Sequence, residues 1–163
     1  MKLSHYSPQK FIQKVESRKQ RNDDDFHSAP EKPYGLWVSV DGEYCWDTWC
    51  RENDFNRGTY RHRVILSDTA KILYVTSAEE LVTFRDTYGR YESRYSYHLR
   101  DKYIAWVDVA KEYQGIIISP YIWEKRLSEM WYYGWDCASG CIWNSDAVSR
   151  IEPIHSFLKG DEP

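Results

Sequence analysis

Several features that would fix a function class are missing from this chain. No apolar run approaches the roughly 20 residues needed to span a bilayer, and the start, MKLSHYSPQK, lacks the apolar stretch of a secretory leader. A cytoplasmic protein without membrane attachment is the expectation. No G-x-G-x-x-G or P-loop pattern occurs, which excludes those two routes to nucleotide binding. No G-x-S-x-G occurs, so the chain offers no hydrolase elbow. The four cysteines, Cys45, Cys50, Cys137 and Cys141, are not spaced as paired C-x-x-C ligands and read as small buried hydrophobes. The five histidines, His5, His27, His62, His98 and His155, occur singly rather than at H-x-H or H-x-x-x-H spacing. No metal cofactor is expected. Basic residues are not in excess either: 22 Lys and Arg stand against 25 Asp and Glu, for a net charge of −3, which argues against attachment to nucleic acid by bulk electrostatics. No internal repeat is visible.

What the chain has in quantity is aromatic rings. Eight Trp, 14 Tyr and 5 Phe make up 17% of 163 residues, while hydrophobic residues as a whole reach only 42%. Much of the buried area must therefore come from large flat side chains, which also line ligand pockets and stack on heterocycles. The length suits one domain, 1–163, with a polar, acidic, proline-bearing loop at 22–33 and a frayed tail at 159–163.

The pattern predicts a short strand at 2–7, then a helix over 8–21 opened by Ser7 as cap and Pro8 at its first position. A strand follows at 34–40, and Trp46, Trp49 and Cys50 at i, i+3, i+4 predict a short helix within 44–54. Residues 60–77 read as two strands broken at SDTA. Ser77 with Glu80 three residues on predicts a capped helix that Gly89 stops, which gives Glu79 and Glu80 a structural explanation. A helix at 103–113, a buried strand at 114–121, a helix over 122–133, and a closing strand and turn over 139–154 complete the chain. Strands and helices do not alternate regularly, so the class is α+β with largely antiparallel strands.

Two segments carry local positive charge, 10–21 and 85–102. The second interleaves Arg85, Arg90, Arg94 and Arg100 with tyrosines such as Tyr95. Arginine binds phosphate and tyrosine stacks on bases, which makes these residues candidates for touching a macromolecular acceptor; a solvated helix face and loop is the plainer reading. His62 and His98, beside Arg61 and Arg63, have the residue types for a metal-independent ribonuclease, in which two histidines act as acid and base and arginines hold phosphate. The densest stretch, WYYGWDCASGCIW at 131–143, surrounds one carboxylate, Asp136, with Trp131, Trp135 and Trp143. Asp136 reads as the cap of a turn or as a working acid.

The order of elements resembles that of the ADP-ribosyltransferases. The resemblance rests on a histidine in the first strand (SHYS), a helix, a glycine-led aromatic strand (GLWVS) and an aromatic helix behind it (YCWDTWC). It continues through RVILSDTAKILYVTSAEELVTF to the closing SGCIWNSDAVSRIEPI. It implies two small, largely antiparallel split β-sheets that form a cleft, flanked by short helices, with NAD as co-substrate in the cleft. It implies His5, with Tyr6 and Ser7, against the nicotinamide ribose. It implies Trp37 and Ser39 on the second strand, with Tyr44, Trp46 or Trp49 beyond it, against the nicotinamide ring. The glutamate that such enzymes usually carry at the start of the last strand is absent. Asp136 is the acid nearest that place, and Ser139 a polar substitute. A small toxin or effector of bacteria or their phages, acting on a nucleic-acid base or a protein side chain, is the activity implied, and such a toxin requires a neutralising antitoxin protein. A non-catalytic aromatic interaction module is the alternative that the missing glutamate favours.

Overall fold

A computed structural model describes residues 1–21, 32–42, 44–90 and 103–154. Most of the 22–33 loop, the 159–163 tail, Arg94, Tyr95, His98 and Arg100 lie outside the described residues. The fold is mixed α+β with a mostly antiparallel sheet and few short helices. Its strands are β1 (Leu3–Ser7), β2 (Leu36–Val40), β3 (Tyr60–Leu66), β4 (Ile72–Val75), β5 (Gly89–Arg90), β6 (Tyr103–Ile104), β7 (Gly115–Ile118), β8 (Ser139–Ile142) and β9 (Val148–Ile154). Its α-helices are α1 (Trp46–Glu52), α2 (Ala78–Tyr88), α3 (Trp106–Glu112) and α4 (Met130–Tyr133). Seven strands join in the order β4-β7-β8-β2-β1-β3-β9, and β5 and β6 form a separate ribbon. Among the described residues only β4 and β7 pair in parallel; α2 and α3 lie on the connection between them.

The centre of the sheet is dry. All residues of β7 and β8 are buried, and Ile116, Ile117, Ile118 and Ile142 are fully inaccessible. Each such side chain contributes about 1.5–3 kcal/mol by leaving water. Glycine is required at this centre, where β7 and β8 pair: a Cβ at Gly140 would sit 2.5 Å from the Ile116 carbonyl oxygen, and one at Gly115 2.9 Å from that of Cys141. Trp106, Trp131, Tyr132 and Trp135 are buried around it, and Trp143 anchors its Nε1–H on the Tyr113 carbonyl at 2.7 Å.

Three expectations are corrected. Residues 8–21 form no helix. Ser7 Oγ accepts from Gln9 N in a tight turn, and the segment then runs as a strap without regular secondary structure. Its polar groups bond outward: Arg18 N to the Trp143 carbonyl at 2.7 Å, and Gln20 to both the N–H and the carbonyl of Tyr34. With apolar residues only at 11, 12 and 15, a helix here would have had no continuous face to bury. Residues 122–133 form a 3₁₀ turn at Trp123–Lys125 and the four-residue α4 instead of one helix. The break allows Trp131 and Tyr132 to be buried while Leu127 remains 80% exposed, and Tyr132 Oη accepts from Ile122 N at 3.1 Å. Finally, the strands of the two expected sheets are hydrogen-bonded into one.

That single sheet has a seam. β1 pairs with β3 over five positions, Leu3 to Ser7, but with β2 only at Leu3↔Val40 and Ser4↔Ser39. Past Ser4 the two strands part, leaving β4-β7-β8-β2 on one side and β1-β3-β9 on the other.

Candidate functional site

Where the strands part, a side chain replaces the backbone ladder: His5 Nδ1 lies 2.7 Å from the Trp37 carbonyl oxygen. A carbonyl can only accept, so Nδ1 carries the proton and donates, which leaves the Nε2 lone pair as an acceptor. Burial pushes the His5 pKa below its ordinary value; the bond to Trp37 opposes this in part, and neighbouring His62 adds to it. The ring is therefore neutral imidazole at neutral pH.

A cavity of about 490 Å³ opens beside the seam, within the range of small-molecule sites. Its lining brings together eight of the residues singled out from the sequence: His5, Tyr6, Trp37, Ser39, Trp46, Trp49, Asp136 and Ser139. Ser7 and Tyr44 are not among the lining residues. Ser7 is buried in its turn, and Tyr44 stacks edge-on against Trp123 at 5.0 Å. The sequence reading missed Ser4, Lys32, Phe55 and Arg57, all of which line the cavity. Phe55 and Arg57 sit in the turn NDFNRG, where an aromatic in an otherwise polar loop was the available signal. Lys32 gave none.

Each wall has a local cause. Ser39 Oγ accepts from Trp46 N at 2.8 Å, so a serine of β2 satisfies the first amide of α1 and fixes that helix against the sheet. Trp46 and Trp49, three apart on α1, stack at 5.1 Å and 12°, and Phe55 packs edge-on against both. Trp46 Nε1 donates to the Arg57 carbonyl, and the Arg57 guanidinium pairs with Asp47. Gly58, at φ +94°, lets this loop turn back close to Tyr6 and Ser7. On the β1 side, Arg61 donates to Ser4 Oγ at 2.9 Å and pairs with Asp41 at 2.8 Å. Ser139 Oγ donates to the Cys137 carbonyl, keeping its lone pairs for a further donor.

Asp136 is the one carboxylate among the described lining residues. No helix begins at it; the chain bends through Cys137 and Ala138 into β8. Its side chain is 25% exposed, and its Oδ1 lies 3.7 Å from Arg126 Nη2, beyond hydrogen-bond length. Arg126 is itself held between rings, 6.0 Å from Trp123 and 5.4 Å from Tyr133. Asp136 thus feels a cation without being tied by it.

The other nominated residues lie elsewhere. Arg85 pairs with Glu129 at 2.6 Å and with Asp86, and Arg90 pairs with Asp108. Neither lines the cavity. His62 is completely buried, with Nε2 3.1 Å from the Lys10 carbonyl. A ring so enclosed does not reach a polynucleotide, which removes one half of the ribonuclease pair. The four cysteines are free thiols. Burial pushes Cys137 up to about 12 and Cys141 higher, so neither is a nucleophile at neutral pH. No group of three or more metal-ligating side chains occurs among the described residues, and no helix among them is long and apolar enough to cross a membrane.

No protein-family model, curated protein or solved structure matches the chain. An aromatic cavity with one fixed anion, one neutral imidazole acceptor and several pinned hydroxyls can hold a polyhydroxylated, partly aromatic ligand.

Proposed function

We propose that the chain is an NAD-dependent ADP-ribosyltransferase that passes ADP-ribose to a macromolecular acceptor, a nucleic-acid base or a protein side chain, as a toxin or effector. The observation that carries this reading is the lining of one cavity by His5, Tyr6, Trp37, Ser39, Trp46, Trp49, Asp136 and Ser139 at the seam between β1 and β2. The parting of β1 from β2 past Ser4, beside the cavity, supports the reading. The reaction breaks the bond between ribose C1′ and the nicotinamide nitrogen. Nicotinamide leaves with the bonding pair, C1′ becomes oxocarbenium-like, and the acceptor adds to C1′ as it gives up a proton. A carboxylate beside C1′ stabilises the transition state more than the ground state, and Asp136 fills the part usually taken by glutamate. His5 Nε2 is free to accept from a ribose hydroxyl, and aromatic walls keep water from competing with the acceptor.

Incubation with NAD labelled in its adenylate part, in the presence of cell lysate, tests the reading. Label on protein or nucleic acid, together with released nicotinamide, is the expected result. A second reading, a non-catalytic interaction module, draws on the exposed apolar side chains Trp123, Leu127, Met130 and Tyr133; it predicts neither label nor nicotinamide.

A further inference from the structure

Of the two positive segments, 85–102 is neutralised where it is described and 10–21 is not. Arg85 and Arg90 pair with carboxylates, as do Arg51, Arg57, Arg61 and Arg150 elsewhere. The strap at 10–21 holds five cations and one acid in a chain of net charge −3. Its one ion pair among the described residues joins Arg18 to Glu16 at 3.5 Å. Lys10, Lys14, Lys19 and Arg21 are exposed and have no such partner there. The backbone beneath them is pinned: His62 Nε2 donates to the Lys10 carbonyl at 3.1 Å, Ser17 Oγ accepts from Ser145 N at 2.9 Å, and Gln20 holds Tyr34. Cations on a fixed backbone lose less freedom on meeting an anion than cations on a loose chain. Phe11, 63% exposed, stands among them with Lys10 Nζ 5.6 Å from its centroid.

We propose that the 10–21 strap binds single-stranded nucleic acid, with Lys10, Lys14, Lys19 and Arg21 on phosphates and Phe11 stacked on a base. A net charge of −3 gives no general attraction to a polyanion. The affinity is therefore local to cations without a carboxylate partner, which displace counterions from the phosphate backbone. An exposed ring beside them favours a single strand, because unpaired bases offer it a free face. A lipid surface is the poorer partner. It requires a continuous apolar face, and Ile12 and Val15 are half-buried, which leaves Phe11 as the strap's one exposed large apolar side chain. No residue of 10–21 lines the cavity, so this surface is separate from the site of the transferase reading.

Fluorescence anisotropy of labelled oligo(dT), oligo(U) and a DNA duplex, with sedimentation on phosphatidylserine vesicles, tests the proposal without NAD, on variants of matched thermal midpoint. The wild type is expected to bind a single strand, with log K falling against log salt at a slope of about −3, as four phosphate contacts give. Lys14→Glu/Lys19→Glu should weaken binding on the order of 30-fold at low salt and flatten the slope. Phe11→Ala should weaken it about tenfold with the slope unchanged. Lys71→Glu/Lys125→Glu makes the same change in net charge outside the strap and should alter affinity by about twofold at most. Binding of only one of the two single strands supports the inference and tells RNA from DNA. Any of five results overturns it: no single strand bound, a loss in the Lys71/Lys125 variant equal to that in the strap variant, Phe11→Ala without effect, a duplex bound as tightly as a single strand, or vesicles bound in place of oligonucleotides. Failure here leaves the transferase reading standing, and an absence of NAD cleavage leaves this surface standing.

Discussion

Two aromatic clusters in this molecule are built from the same residue types and do different work. In one, Phe84, Trp106, Trp131 and Trp143 meet at centroid distances of 5.3 to 6.4 Å, and none is more than 4% exposed. In the other, Trp46, Trp49 and Phe55 meet at 5.1 to 5.6 Å, yet Phe55 is 54% exposed and all three line the cavity. Ring spacing does not separate them. What separates them is the backing: the first cluster is enclosed by α2, α3, α4 and the central strands, whereas the second stands on a two-turn helix at the seam. An aromatic group backed on all sides stabilises the fold; one with an open side is available to a ligand.

The comparison breaks most visibly under truncation. Trp106→Ala removes a fully buried ring and is expected to cost about 3–5 kcal/mol in urea denaturation. Trp49→Ala should cost about 1 kcal/mol, because its ring is half-buried, while nicotinamide release from NAD drops. Equal stability losses would mean that the second cluster is core as well. A loss between these two is expected at the Arg85–Glu129 ion pair. Glu129, whose side chain is 5% exposed, loses its partner in Arg85→Ala, at a cost of about 2 kcal/mol after allowing for the partly exposed arginine. The thermal midpoint should fall with nicotinamide release per folded molecule unchanged; lost acceptor labelling at full stability would instead return Arg85 to the acceptor site.

The smallest effect expected is one of pH at the seam. The folded His5 pKa lies below the ordinary histidine value of 6.5. As pH falls through 6.5, the unfolded chain binds a proton that the folded chain does not, so stability decreases until the lower folded value is passed. The slope is at most one proton per chain, and His5→Gln should remove it in denaturation curves recorded across that window. A slope unchanged in His5→Gln would assign the titration to another group.

Elements with strong local signals were legible in the sequence. Ser77 does cap α2, accepting from Glu80 N at 3.2 Å, and the i, i+3, i+4 spacing of Trp46, Trp49 and Cys50 does lie on α1. The SDTA break and the buried strand at 115–118 also stand. The misreadings came where partners distant in sequence decide. The 8–21 strap depends on Trp143, Ser145 and Tyr34, and residues 122–133 break because burial of Trp131 and Tyr132 outweighs helix continuity. At the site, ring-bearing and polar residues on β1, β2 and α1 could be nominated because they are close in sequence and share an element order. Lys32 and Arg57 could not, since their place is set by the Trp37 face and by Asp47, and neither contact has a local signature.

In the proposed transferase, Asp136 is the anion against which the glycosidic bond of NAD would break. Nicotinamide release from NAD, compared between the wild type and Asp136→Asn at matched thermal midpoints, tests it most directly. The account predicts release by the wild type and a fall of about 10²–10³ in the variant. Release that is absent in the wild type, or undiminished in Asp136→Asn, would contradict it.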